Sequence, residues 1–267
     1  MLAIKEVTQR LAVEDAVLVT VDSTRGSVPR EAGAWMAVFA GRVVATVGGG
    51  HLELQAIEEA RRRLAGGSGE AVQRYPLGPS LGQCCGGVVH LRYQRLTAAD
   101  ASTLAARLRA GGTPVALFGG GHVGKALVNL LGTLPFAVNW IDSRDEIFPE
   151  QVPDNVSCEH SDPVQAAVAD LAPQSRVLIM SFSHAEDLDI VAACLKRLRE
   201  RGDLPYVGLI GSKTKWATFR HRLEERGFHE QELAQVTCPI GVPGIEGKEP
   251  EVIAVAVAAQ LLQAPLP

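Results

Sequence analysis

The sequence predicts a mixed α/β protein: an N-terminal α+β domain followed by a Rossmann-like, doubly wound parallel-sheet domain. Three observations point there. The first part of the chain carries short apolar runs separated by glycine turns, with one well-formed amphipathic helix among them. The second part alternates short apolar runs with helical stretches, the pattern of a parallel sheet covered by helices. A glycine pattern marks the first strand-to-helix turn of that second part. At 267 residues the chain is comfortable for two cores. The boundaries read as residues 1–97, a connecting helix or linker over 98–113, and residues 114–267.

In chain order, "MLAIKEVTQRLAVED" places Ile4, Val7 and Leu11 at helical spacing between charges, an amphipathic helix and not a secretion signal. "AVLVTVDS" (16–23) and "AWMAVFA" (34–40) read as strands, and "VVATV" (43–47) follows across a hairpin-like connection. Gly48–Gly50 break that strand before "HLELQAIEEARRRLAGG", a helix with Leu52, Ile57, Ala60 and Leu64 on one face, ended by Gly66-Gly67. Arg61, Arg62 and Arg63 close it where cations suit the dipole, and read as a solvated face. "AVQRYPL" and "VVHLRYQRL" are two further strands flanking "LGQCCGG" (81–87). Residues 97–114 hold the connecting helix. Beyond it, "VALF", "FAVNWID", "VLIM" and "YVGLI" are strands, separated by helices such as "HVGKALVNLLG" and "DLDIVAACLKRLRERG".

Composition narrows the function classes. Hydrophobic residues make up 46% and charged residues 21%, ordinary for a soluble globular protein. A net charge of −4 argues against a nucleic-acid partner, which would require a basic surface. The most apolar late segment, "VIAVAVAA" (252–259), is far shorter than the roughly 20 residues that span a bilayer. A cytoplasmic location and reduced thiols are therefore expected. The five cysteines contain no C-x-x-C pair, and Cys158, Cys194 and Cys238 lack close His or Cys neighbours, so no zinc framework is expected.

Two stretches carry chemistry. "VALFGGGHVGKALVNLL" sets Gly119-x-Gly121-x-x-Gly124 between a strand and a helix. The first glycine permits the turn, the second admits a phosphate to the backbone, and the third lets helix and strand pack closely. The next strand ends at Asp142, where a ribose hydroxyl or similar polar group would be held. Read alone, that constellation suggests an NAD(P)-dependent oxidoreductase, with His184 after "VLIMSF" as its only acid/base candidate. Asp187 and Asp189 follow His184, and Ser212 reads as an N-cap with Lys213 and Lys215 near a potential anion. The second stretch is the pair Cys84-Cys85. Adjacent cysteines suit an ordinary disulfide poorly, because the usual Cα separation of about 4.4–6.8 Å exceeds the span of one peptide bond. Their glycine neighbours permit a loop that wraps a ligand; two small buried side chains or a redox-sensing thiol pair are the alternatives.

Several segments together resemble one family, the xanthine dehydrogenase accessory proteins of the XdhC/CoxI type. They are "GSVPREAGAWM", "TVGGGHLE", "LGQCCGG", "LFGGGHVGKAL", "IDSRDEIFP", "GLIGSKTKW" and "CPIGVPGIEGKEPEVIAVAVAAQLL", in order over nearly the whole chain. "SFSHAEDLD" (181–189) departs from the family tendency to a threonine before a His-rich segment. The resemblance implies a chaperone that binds the molybdenum cofactor (molybdopterin), supports its sulfuration with a cysteine desulfurase, and delivers it to xanthine dehydrogenase or a related molybdenum hydroxylase. It implies a non-catalytic or semi-catalytic escort, more a cofactor-binding chaperone than an enzyme with its own turnover, with no catalytic residue assigned, and a homo-oligomer. It also assigns cofactor contacts to Cys84, Cys85, Arg30, Gly119, Gly121, Gly124, Asp142 and His184, with Cys85 ahead of Cys84. A soft thiolate would meet the metal end while glycine amides hold the anionic tail. Arg30 and the Gly48–Gly50 turn before His51 would add N-terminal contacts, arginine through bidentate phosphate binding or stacking on the pterin.

Overall fold

The computed structural model describes residues 2–78, 86–109 and 112–264, so Cys84 and Cys85 lie outside the described residues. The chain forms two compact units, Leu2–Gly111 and the remainder from Gly112.

The first unit is a five-stranded antiparallel sheet between helices. It begins with α1 (Leu2–Arg10), β1 (Ala16–Arg25), β2 (Trp35–Val38) and β3 (Val43–Ala45). α2 (Gly50–Leu64), β4 (Val72–Pro76), β5 (Val88–Leu96) and α3 (Ala101–Arg109) complete it. The strand order is β3-β2-β1-β5-β4. Central β1 is buried on both faces, which explains its unbroken apolar start. Val17, Val19 and Val21 pack with Leu52, Ala56 and Ala60 of α2, while Ala16 and Leu18 pack with Val7 and Leu11 near α1 and Leu104 of α3. The segment read as a connector therefore contributes to this unit's core, because Leu104 is fully buried among those residues. The hairpin between β2 and β3 closes through Phe39 N donating to Arg42 O at 2.8 Å.

The second unit is a six-stranded parallel sheet. Its strands are β6 (Thr113–Phe118), β7 (Phe136–Asp142), β8 (Val156–His160), β9 (Arg176–Ile179), β10 (Tyr206–Leu209) and β11 (Val236–Thr237), in the order β11-β10-β9-β6-β7-β8. Its helices are α4 (His122–Leu131), α5 (His184–Arg201), α6 (Lys213–Glu225), α7 (Glu230–Leu233) and α8 (Pro250–Gln263). Alternate residues of β6 serve the two faces. Val115 and Leu117 join Leu127, Val128 and Leu131 of α4 and Val257 and Leu261 of α8. Ala116 and Phe118 join Leu188, Val191 and Leu195 of α5 and Phe219 and Leu223 of α6. Helix α5 is bounded by local chemistry: Ser183 accepts from Glu186 N as N-cap, acids occupy its first turn, and Gly202 ends it at φ 63°.

The apolar segment 252–259 lies in α8, and its last turn is held by buried Arg176, which donates to Leu261 O at 2.5 Å and Ala264 O at 2.9 Å. That places a cation at the negative helix end. Among the described residues no helix is long and apolar enough to cross a membrane.

Candidate functional site

Strand order reverses between β6 and β9, so the crevice outside their carboxyl ends is the topological switch point where ligands of such sheets bind. The Gly119–Gly124 turn lies there, and its glycines have separable reasons. Gly119 sits at φ 121°, and a Cβ on it would stand 2.0 Å from Met180 O of the β9 loop. A Cβ on Gly124 would stand 2.1 Å from Gly119 O. Both glycines are dictated by packing. Gly121 has an ordinary φ of −69°, and a Cβ on it would meet nothing within 4 Å. It is also the N-cap of α4 and supplies no side-chain cap. The first amides of a helix have no intrahelical acceptor. Open space therefore faces the positive end of α4, the arrangement that receives an anion.

Asp142 ends β7 beside this turn, 1% exposed. Its carboxylate is engaged by its own chain. Oδ2 accepts from Gly120 N at 2.6 Å and Arg144 Nη2 at 3.0 Å. Oδ1 accepts from Arg144 N at 3.0 Å and Nε at 2.9 Å. Burial works to raise this carboxyl, but the Arg144 and Gly120 hydrogen bonds outweigh it and hold it below the usual carboxylate range. The residue expected to hold a ribose instead ties the glycine turn to Arg144.

His184 is the exposed first residue of α5, edge-on to Phe219 with centroids 6.2 Å apart. Asp187, 2% exposed, does more. Its Oδ1 accepts from Ser181 N at 2.8 Å and Ser181 Oγ at 2.7 Å, and its Oδ2 accepts from Lys215 Nζ at 2.6 Å. Lys215 also donates to Ile210 O at 2.9 Å. The lysine expected to face an external anion is thus consumed internally, fixing the β9 loop against Gly119. Ser212 caps α6 as expected, accepting from Lys215 N at 3.1 Å. Asp189 pairs with Arg226 at 2.7 Å.

In the first unit, glycine segments converge at one end of the sheet. A Cβ on Gly48 would stand 2.6 Å from Pro29 Cγ and 3.5 Å from Arg30 Cγ. A Cβ on Gly87, next to the described end of the cysteine segment, would stand 2.4 Å from Ser27 O. The turn holding exposed Arg30 therefore neighbours Gly48, and Gly87 neighbours Ser27. Gly48, Gly49 and Gly50 all have positive φ (133°, 76° and 64°), a run only glycine adopts readily. Glu53 braces it: Oε2 accepts from the Thr46 hydroxyl, from Val47 N at 3.0 Å and from Gly49 N at 3.2 Å. In the basic run Arg61 and Arg62 are exposed, as a solvated face requires, and only Arg63 departs from it. Arg63 donates to Glu59 at 2.7 Å and lies over the Tyr93 ring at 4.3 Å, because the helix end turns it onto the sheet.

Glu53, Arg144, Phe182, Glu186 and the Asp187–Lys215 pairing escaped the sequence reading. Only the helix-start position of Glu53 and Glu186 carried a signal in the sequence; the others depend on which strand ends become neighbours.

Comparison with known proteins matches residues 115–261 to the XdhC Rossmann domain and residues 10–76 to the XdhC and CoxI family. A curated relative, the uncharacterized protein YqeB of Escherichia coli strain K12, is 29% identical over 253 residues. That match covers 91% of this chain, which spans 42% of the relative's length. The crystal structure of a xanthine dehydrogenase from Bacillus halodurans at 2.80 Å superposes with a TM-score of 0.71 at 19% identity, covering 98% of this chain and 95% of that one. That likeness shows the fold. With both units matched in order, the chain belongs to the XdhC and CoxI family.

Proposed function

We propose that this protein is an accessory factor of a molybdenum hydroxylase such as xanthine dehydrogenase, and that it binds the molybdenum cofactor as cargo by its phosphate. The observation that carries this reading is the open space at Gly121 before the uncapped start of α4. A phosphate monoester placed there would receive backbone amides and the positive helix end. The family supports the identity of the cargo. Sulfuration together with a cysteine desulfurase, delivery to the hydroxylase, homo-oligomer formation and a cytoplasmic location are parts of the same proposal. Cys85 ahead of Cys84 serves the sulfur chemistry, since a persulfide is a reversible state of a reactive thiol. The NAD(P)-dependent alternative is disfavoured by Asp142, whose two oxygens already accept four donors from the chain.

Gel filtration after incubation with the free cofactor tests the proposal, with oxidation of the protein fractions to fluorescent pterin. The wild-type chain should carry pterin and Gly121→Val should lose most of it; with a cysteine desulfurase and L-cysteine added as the sulfur source, Cys85→Ala should lower the sulfurated fraction. Absence of pterin in the wild-type fraction, alongside micromolar NAD(P)H binding, would replace this reading with the oxidoreductase.

A further inference from the structure

The carboxyl ends of β7 and β9 are separated in the sheet by β6, yet the side chains that follow them meet. Ser143 Oγ donates to Glu186 Oε1 at 2.8 Å, and Phe182 N donates to Glu186 Oε2 at 3.1 Å. The Arg144 guanidinium lies over the Phe182 ring, 4.4 Å from its centroid. Arg144 is itself locked by Asp142, which also holds Gly120 N. A continuous set of contacts therefore runs from the glycine turn through Asp142 and Arg144 to the Phe182 ring.

Phe182 is 68% exposed, whereas Phe118, Phe136, Phe219 and Phe228 of the same unit are buried. Exposure forfeits the stabilisation that burying such a side chain contributes. The fold nevertheless holds the residue twice, its backbone through the amide bond to Glu186 and its ring through the stacked cation. The preceding residue, Ser181, has its Cα 3.1 Å from where a Gly119 Cβ would stand, so the ring is tethered one residue from the phosphate turn. A positioned, solvent-facing aromatic braced by a guanidinium is the arrangement on which planar heterocycles stack.

We propose that Phe182, braced by Arg144, is the platform for the fused ring of a pterin whose phosphate is held at the start of α4. This rests on the phosphate reading above and narrows it to a ligand recognised by ring and phosphate together. A ribose receives no comparable hold, because the Asp142 carboxylate is engaged by Gly120 and Arg144. A purine nucleotide should therefore bind less well than a pterin phosphate. Arg144 is a positioning residue, acting through the ring it steadies.

Fluorescence titration of the full chain with a phosphorylated 6-hydroxymethylpterin tests this, with the dephosphorylated pterin, guanosine monophosphate and inorganic phosphate as further probes. Phe182→Ala should weaken the pterin phosphate by about tenfold and Phe182→Trp should restore it, while inorganic phosphate is unaffected. Thermal stability should stay unchanged in both variants, which a merely structural role for an exposed ring bound to Arg144 would not by itself predict alongside the affinity loss. Equal pterin phosphate affinity in Phe182→Ala and wild type overturns the platform and leaves the phosphate reading standing. Guanosine monophosphate binding as tightly as the pterin phosphate overturns the pterin assignment. Failure of the wild type to bind either the pterin phosphate or inorganic phosphate overturns the glycine-turn reading and the platform with it.

Discussion

At Gly48–Gly50 and again at Gly119–Gly121 the chain leaves a strand, turns on glycine and enters a helix. The two turns meet the same electrostatic demand in opposite ways. Ahead of α2, the amides of Val47 and Gly49 are taken by Glu53, a carboxylate from the helix's own first turn. Ahead of α4, Asp142 takes the amide of Gly120, but the helix's own first turn holds no acid, Gly121 provides no side-chain acceptor, and the space beside it is open. Glycine richness alone does not make an anion site. What decides is whether the helix's own first turn supplies an acceptor at its positive end.

Substitutions within the α4 turn put the largest strain on this distinction. In Gly124→Ala the new methyl falls 2.1 Å from Gly119 O, where neither backbone segment can retreat cheaply. A loss of about 3 kcal/mol or more is expected, read as a lowered melting temperature. Gly121→Ala meets no neighbour within 4 Å and should stay within about 1 kcal/mol of wild type while weakening phosphate. Equal destabilisation of the two variants, or undiminished phosphate binding by Gly121→Ala, would break the comparison.

At the other turn the expected effect is smaller and local. Glu53→Gln keeps an oxygen but loses the charge that strengthens its bonds from Thr46, Val47 and Gly49. Stability should fall by about 1–3 kcal/mol. Hydrogen exchange should quicken at Val47 and Gly49 and stay unchanged across Gly119–Gly124. Unaltered exchange at Val47 would mean that the glycine run holds its shape without the carboxylate.

The same contrast explains what was legible in the sequence. Elements with period or punctuation were readable: β1 as an apolar run, α2 with Leu52 and Ala60 inward, and the β6–turn–α4 unit with its three glycines. Strand β8 escaped because as an edge strand it exposes Ser157, Cys158 and His160 and shows no apolar run. Strand β11 has only two residues. The motif could say where a phosphate would sit, but not that Asp142 spends its charge on Arg144 and Gly120. Nor could it say that Lys215 turns inward to Asp187. Those pairings depend on strand order, through which residues far apart in sequence become neighbours. Arg63 illustrates the same limit, since its partner Tyr93 lies 30 positions away on β5.

Thiol reactivity sharpens the contrast between the units without perturbing either. In the parallel-sheet unit, burial pushes the Cys194 thiol up to about 12, against a smaller opposing pull from Arg197. Burial pushes Cys238 up to about 11, although Lys215 pulls the other way. At pH 7.5 a thiol of pKa near 11 is roughly 0.03% thiolate, about two orders of magnitude below an ordinary cysteine. Cys158 is exposed on β8 and serves as an in-chain reference, although partial desolvation raises its thiol too. Iodoacetamide labelling followed by peptide mass spectrometry should therefore rank Cys158 ahead of Cys238 and Cys238 ahead of Cys194. Between pH 7.5 and 9 the Cys238 rate should rise about tenfold per pH unit, because that range lies wholly below its titration. Labelling faster than that of Cys158 then has Cys84 and Cys85 as its remaining sources, the pair to which the sulfur chemistry is assigned. Fast modification of Cys238 at neutral pH would instead move the thiol function into the parallel-sheet unit, beside Lys215 and Asp187, and Cys238→Ala would then be the variant that lowers sulfuration.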